Sequence, residues 1–324
     1  MTVDGMTGGN GADVTAAGFE EHRAHLRAVA YRMLGSLSEA EDAVQEAWLR
    51  LSRADAGQIG NLRAWLTTVV SRICLDLLRS RAARREESLE VHVPDPVVTR
   101  VDDDPAEHAL LAESVGMALL VILDTLPPAE RLAFVLHDIF AVPFDEIGRI
   151  LDRTPDAAKQ LASRARRRLR AADDSQAAEA DPPVTAEVSP AAVPDAAALA
   201  VERARQREVV TAFQAASRDG DFATLLTLLD PAVVLRADAG AGPAGPSQVV
   251  QGAPAVIGQA RRFAHLAGSA RLVLINGAPG FLVAPHGQAF ALLAVTVRAD
   301  KITEIDILAD PERLARLDLA AVLA

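Results

Sequence analysis

Gln160, Ser163, Arg164 and Arg167 recur at intervals of three and four, which places them on one side of a helix. An Arg fork matches guanine, a Gln amide matches adenine, and a Ser hydroxyl serves either a base or a phosphate. The opposite side carries Ala158, Leu161, Ala162, Ala165 and Leu169, an apolar stripe fit for burial. The run Arg166 to Arg168 adds charge that holds phosphates without reading sequence, so Arg166 and Arg168 are expected on the DNA backbone, and Lys159 is counted with the DNA-binding residues. A basic helix end can also serve only to complement the helix dipole; the capped turn in front of this one argues for the DNA reading.

That turn belongs to the element that must position the face. Thr154 is expected to cap the helix and Pro155 to occupy its first turn. Upstream, Phe144, Ile147, Ile150 and Leu151 form the apolar side of a second short helix, and Asp152-Arg153-Thr154 leaves room only for a tight turn. Two short helices joined this way predict a helix-turn-helix.

A second candidate surface lies nearer the amino terminus. Ser38-Glu39-Ala40-Glu41 has the form of a capping box, predicting a helix from about Glu39. Ala40, Val44, Ala47, Trp48 and Leu51 share its inward side, leaving Asp42, Gln45, Glu46 and Leu49 outside. An outward leucine ringed by acids and an amide predicts a protein-docking face. The next helix buries Leu62, Trp65, Leu66, Val69, Val70, Ile73 and Leu77 and ends in Arg79, Arg81, Arg84 and Arg85. Those arginines are expected to grip a DNA backbone beside the loop Ser52 to Gly60, which could receive an extruded base.

The chain has 324 residues and a formal net charge of −11, which taken as an average disfavours a nucleic-acid partner. The charge is segregated, however: Arg153 to Arg170 holds seven bases and one acid, and Asp173 to Asp195 six acids and no base. The single cysteine, Cys74, excludes an intramolecular disulfide and suits a reducing cytoplasm, where it reads as a packed small hydrophobe. No apolar run reaches membrane-spanning length, so no membrane partner is expected.

Composition divides the chain into a disordered amino terminus (1–18), a helical domain (19–88), a proline-bearing acidic linker (89–106), a second helical domain (107–171), an acidic flexible linker (172–198) and a carboxy-terminal domain (199–324). In that last domain, helices from Glu202 to Ser217 and Phe222 to Leu229 precede five strand-like runs, predicting an α+β domain with a mostly antiparallel sheet. Its candidate cavity or regulatory residues are Asp238, His265, His286 and Asp306. Nothing in their spacing defines a catalytic triad, a metal site or a phosphate loop, so no catalytic residue, metal or cofactor is assigned and the chain is not expected to be an enzyme.

The stretches RMLGSLSEAEDAVQEAWLRL, Asn61 to Arg85, and LDTLPPAERLAFVLHDIFAVPFDEIGRILDRTPDAAKQLASRARRRLR resemble bacterial sigma factors of the extracytoplasmic-function group of the sigma-70 family. The resemblance implies that 19–88 is region 2, which binds the β′ clamp helices of RNA polymerase core through the Asp42, Gln45, Glu46 and Leu49 face and melts the −10 element. It implies that 107–171 is region 4, which reads the −35 element of promoter DNA and contacts the β flap. VVTAFQAASRDGDFATLLTLLDPAVVLRADAG and DPERLARLD resemble the SnoaL-like branch of the nuclear-transport-factor-two-like fold, a cone of curved sheet around a cavity. Held by a tether of about 27 residues at high effective concentration, this domain is expected to regulate the sigma regions, its tail meeting Val91 to Arg100. Two other readings are a helix-turn-helix regulator with a ligand-binding domain, which leaves the Asp42 to Leu49 face unexplained, and a SnoaL-like enzyme fused to DNA-binding helices, which lacks a catalytic set. No feature of the sequence identifies an anti-sigma protein.

Overall fold

A computed structural model describes residues 9–54, 59–85, 91–101, 116–177, 196–240 and 244–323. The chain divides into two compact units, one made of residues 1–88 and 123–170, the other of 89–122 and 171–324. No described helix is long and apolar enough to cross a membrane.

The first unit is all helical. Helices α1 (Gly9–Leu34), α2 (Leu37–Leu51) and α3 (Leu62–Arg85) pack on one another around Leu26, Tyr31, Leu34, Ala47, Leu66 and Val70. α1 starts at Gly9, inside the stretch expected to be disordered. It is followed into the core by Phe19, whose ring meets Trp48 of α2 at 5.1 Å. The cap of α2 is Ser36, two residues before the expected Ser38: Gly35 ends α1 at φ +67°, Ser36 is extended, and its hydroxyl accepts from Glu39 N–H. Cys74 is wholly buried and its thiol is pushed up to about 12 by burial, so it serves as packing. The middle of the loop after α2, residues 55–58, lies outside the described residues.

α4 (Met117–Asp124) spans the division between the units, and α5 (Pro128–Phe134) continues the first unit into a π-helical turn, Val135–Ile139. α6 (Phe144–Leu151) and α7 (Pro155–Ala177) follow. The two sequence regions of this unit are joined at a seam. Fully buried Arg131 donates to the Arg32 carbonyl at 3.2 Å and pairs with Asp124 at 3.0 Å; Arg72 donates to the Arg149 carbonyl at 2.7 Å; and His25 stands edge-on to Phe140.

The second unit contains α8 (Ala196–Asp219), α9 (Phe222–Leu228), α10 (Ala253–Phe263) and a seven-stranded sheet in the order β1-β4-β5-β6-β7-β2-β3. The strands are β1 (Val98–Thr99), β2 (Leu229–Asp238), β3 (Gln248–Gln251), β4 (Ala270–Ile275), β5 (Ala278–Val283), β6 (Ala291–Arg298) and β7 (Lys301–Leu308). Every pairing is antiparallel except β2 with β7. The tail closes with α11 (Pro311–Leu314) and α12 (Ala320–Leu323). Because side chains alternate along a strand, each central strand feeds two cores. Leu235, Val295 and Ile305 pack under α8 and α10, while Leu292, Ala294 and Leu308 face a second cluster.

That second cluster corrects the expected linker. It contains Val93, Met117 and Val121 together with tail residues Leu314, Leu319 and Val322, so the described part of 89–106 is built into the carboxy-terminal unit. β1 pairs with edge strand β4, and Asn276 closes the join: its N–H donates to the Val97 carbonyl at 2.8 Å and its Oδ1 accepts from Val97 N–H at 2.7 Å. Val93 and Val97 supply the apolar anchors that the acidic composition of the segment hides. The middle of the second linker, residues 178–195, lies outside the described residues.

Candidate nucleic-acid and polymerase interfaces

The turn between α6 and α7 is built as its sequence demands. Asp152 sits in the left-handed region at φ 54° and terminates α6, with Arg153 N–H returning to the Gly148 carbonyl. A Cβ on Gly148 would lie 2.8 Å from the Arg153 carbonyl, so only glycine lets the turn fold so close to α6. Thr154 Oγ1 then accepts from Ala157 N–H at 3.2 Å, the expected cap of α7. Ala158, Ala162 and Ala165 are fully buried, and the small stripe seats α7 close to its neighbours.

The opposite side of α7 presents Lys159, Gln160, Ser163, Arg164 and Arg167, all exposed and with no side-chain partner among the described residues. Arg166 and Arg168 differ from expectation. Arg166 forms a two-pronged pair with Asp138 of the π-helical turn at 2.7 and 3.2 Å. Arg168 lies 3.1 Å from the buried carboxylate of Glu130 in α5. Both arginines flank the buried stripe and meet an acid on the supporting helices; Arg166 is turned toward Asp138, while Arg168 keeps 59% of its side chain exposed beside its ion pair. The sequence could not show this, because the acids lie 28 and 38 residues away.

On α2, Asp42, Gln45 and Leu49 are exposed and Glu46 is half-buried, while Ala40, Ala43, Val44, Ala47 and Leu51 are buried. Leu49 stands out as one of the few exposed large hydrophobic residues. Glu46 makes an i,i+4 pair with Arg50 at 2.9 Å, a contact of only a few tenths of a kcal/mol (about 0.3) that a partner can displace.

At the end of α3 the arginines separate by role. Arg79 is exposed, paired at 3.7 Å with Asp76. Arg81 is not available to DNA as expected: it pairs with Glu39 and donates to the Leu34 carbonyl at 2.9 Å, clamping α3 to the α1–α2 junction. Arg84 and Arg85 fall on α3, with side chains outside the described residues.

His25, in the seam, is held neutral. Its pKa falls to about 4 through burial first, with Arg63, His22 and Arg32 adding repulsion. A lowered histidine pKa means that folding gives full stability above about 6.5 and loses it as pH falls toward about 4. We expect the urea midpoint of the first unit to drop between pH 7 and pH 5, and His25→Asn to flatten that dependence. An equal drop in wild type and variant would remove His25 from the account.

The expected cavity exists, but none of the four residues proposed for it lines it. It is a cleft of about 160 Å³ between α8, α10 and the sheet, open on one side to solvent, with Leu235, Ala237, Ile305 and Ile307 pointing in. By strand alternation Asp306 and Asp238 face the other side. Asp306 is bound at 3.0 Å by Arg236, which also holds Glu304 at 2.7 Å. Burial raises the Asp306 carboxyl to about 6, partly countered by Arg236. His265 and His286 are exposed, the latter on a left-handed turn at φ 56°.

Asp238 belongs to the linker join. Its Oδ2 accepts from Val93 N–H at 3.0 Å and from Arg313 Nη1 at 2.6 Å. Arg313 also donates Nη2 to the Val93 carbonyl at 2.6 Å and Nε to Asp95 at 2.9 Å. Asp310 caps α11 by accepting from Glu312 and Arg313 N–H, which orients that guanidinium. Gly240, at φ 51°, packs against the Asp310 side chain where a Cβ would collide. Reasoning from the sequence missed Arg313, though the Asp-Pro-Glu-Arg cap was there to mark the turn.

Residues 19–84 match the family model of sigma-70 region 2, and residues 116–169 match that of sigma-70 region 4. The chain is similar to the ECF RNA polymerase sigma factor SigJ of Mycobacterium tuberculosis, 38% identical over 308 residues and covering 91% of each protein. It is 36% identical over 309 residues to the probable ECF RNA polymerase sigma factor SigI of the same organism, covering 93% of this chain and 95% of that one. The crystal structure of M. tuberculosis extracytoplasmic function sigma factor SigJ superposes with a TM-score of 0.70 at 36% identity, over 94% of this chain and 99% of that one.

Proposed function

We propose that this chain, which belongs to the extracytoplasmic-function RNA polymerase sigma factors and so directs promoter-specific initiation, docks core polymerase through α2 and reads the −35 element through α7, under the control of its carboxy-terminal α+β domain. The observation that carries the reading is the pair of exposed faces just described: one apolar and acidic, one basic and amide-bearing. Asp42, Gln45, Glu46 and Leu49 meet the β′ clamp helices. Gln160, Ser163, Arg164 and Arg167 enter the major groove, with Lys159 on phosphates and α5 to α7 against the β flap. Arg79, with Arg84 and Arg85, holds backbone beside the −10 element.

A base-reading Arg is worth about 1 to 3 kcal/mol at one position. Arg164→Ala should therefore relax preference at one base pair of a −35 library in run-off transcription. A uniform loss across the library would move Arg164 to the phosphate contacts.

The control follows from geometry. The −10 and −35 elements are about 25 base pairs apart, or about 85 Å at ~3.4 Å per base pair. Both DNA-facing helices belong to one compact unit, and a body of that size spans roughly 35 to 40 Å. The seam of Arg131, Arg72 and His25 must open for both elements to be held at once. The chain between the regions must then extend, and its described residues are fastened to the carboxy-terminal unit by β1, Val93, Val97 and Arg313. The domain thereby restrains the sigma regions by keeping their connection short.

A further inference from the structure

The two helices of the helix-turn-helix are gripped by a segment that lies outside the reading face. Between α5 and α6 the backbone widens into the π-helical turn Val135–Ile139, where Phe140 N–H donates to the Val135 carbonyl five residues back at 3.3 Å. Val135 and Leu136 bury the turn in the unit, and the next two side chains reach one helix each. His137 stacks on Phe144 at the start of α6, with ring centroids 3.8 Å apart, and Asp138 takes Arg166 of α7 in the two-pronged pair. At 3.6 residues per turn, Arg166 and Arg168 fall about 80° to either side of the line through Ala158, Ala162 and Ala165. One flank of the buried stripe is therefore tied to Asp138 and the other to Glu130. The ties differ in kind: Arg168 meets Glu130 through Nε alone, whereas the fork on Asp138 fixes direction as well as distance. Alanines let α7 approach closely but offer shallow ridges, so the stripe sets the depth of the helix more firmly than its roll.

We propose that Asp138 is a specificity-determining positioning residue: through Arg166 it sets the roll of α7 about its own axis, and with it the base pairs that Gln160, Arg164 and Arg167 reach. This rests on the proposed reading of −35 DNA by α7. The lever is long enough. With side-chain heads at a radius of about 6 Å, a roll of about 30° carries a head about 3 Å, close to the ~3.4 Å between successive base pairs. Paired hydrogen bonds to a base edge tolerate little displacement, so such a shift exchanges or breaks individual contacts instead of weakening all of them evenly. A phosphate role for Arg166 makes the opposite prediction: breaking its pair with Asp138 frees a cation and strengthens binding to every promoter alike.

The test is run-off transcription by core polymerase with the full chain, on a library of single-base-pair −35 variants at low and high salt, with circular dichroism as the folding check. Asp138→Asn keeps the side-chain shape and loses the charged fork, and Arg166→Lys keeps the charge and loses the fork. Both should reorder the library, changing preference about fivefold or more at the same base pair, and the exchange of Asp138→Arg with Arg166→Asp should move the order back toward wild type. A changed yield with the order intact overturns the proposal, as does an exchange variant that keeps the order of the single variants. A higher yield with steeper salt dependence in Asp138→Asn, the order again intact, returns Arg166 to the phosphates. Arg164→Ala in the same library separates the two levels. Reordering by Arg164→Ala with none by Asp138→Asn leaves the −35 reading standing and removes Asp138 from it, whereas no reordering by either overturns both.

Discussion

Arg313→Ala is expected to release the linker from the carboxy-terminal unit and expose residues 91–101 to protease about a hundredfold faster. The guanidinium is only 15% exposed and joins Asp238 (9%) and Asp95 (13%) to the Val93 carbonyl. Removing one member of a buried charged cluster leaves the acids uncompensated, typically a loss of 3 to 5 kcal/mol, of which about 3 kcal/mol gives the hundredfold exposure. Arg313→Lys should rescue only partly, because a point charge cannot donate to Asp238, Asp95 and a carbonyl in one plane. Asn276 and β1 remain in place, so the sheet itself should stay folded. Protection of 91–101 unchanged from wild type would show that Val93 and Val97 alone hold the linker.

Asp42→Lys with Glu46→Lys is expected to weaken core-polymerase binding by one to two orders of magnitude. Reversing two charges at a docking face sets like charges together, a penalty of several kcal/mol (about 2 to 3) when the partner surface is basic. The helix should survive, since its buried residues Ala40, Val44, Ala47 and Leu51 are untouched and the Glu46–Arg50 pair is exposed. Leu49→Ala should add a smaller loss through its exposed apolar surface. Fluorescence-detected binding to core polymerase, with circular dichroism as the folding check, measures both. Wild-type affinity in a folded double variant would place the polymerase contact elsewhere.

Local physics was legible in the sequence and long-range pairing was not. Thr154, Pro155 and the alanine stripe of α7 specify a capped helix from neighbours within four residues, and the structure matches them. The outward set on α2 follows from period alone. The cap of that helix was misplaced because Ser36 and Ser38 are both competent and only the φ of Gly35 selects between them. Arg81, Arg166 and Arg168 looked like free cations, since an arginine whose acid sits on another helix has the same local pattern as one awaiting DNA. The linker misled most. Its prolines and acids read as solvated chain, yet two-residue β1 finds its edge on β4; the expected meeting of the tail with residues 91–100 is present, made by Arg313 with Asp95 and the Val93 carbonyl. In the carboxy-terminal unit the residues chosen for their polarity faced away from the cavity. Alternation decides that for Asp306 on β7 and Asp238 on β2, where Ile305, Ile307 and Ala237 hold the inward positions, while His265 and His286 sit exposed on turns.

Run-off transcription by core polymerase tests the central claim most directly, using a promoter selected by the full chain. Full-length protein, Arg313→Ala and a chain ending before Ala196 are compared at matched, limiting concentration. The account predicts initiation at one start site with all three, a higher yield from Arg313→Ala than from the full chain, and a yield from the shortened chain that differs from both. Equal yields from all three folded proteins would contradict it, making the carboxy-terminal domain a passenger on a sigma factor that opens unaided.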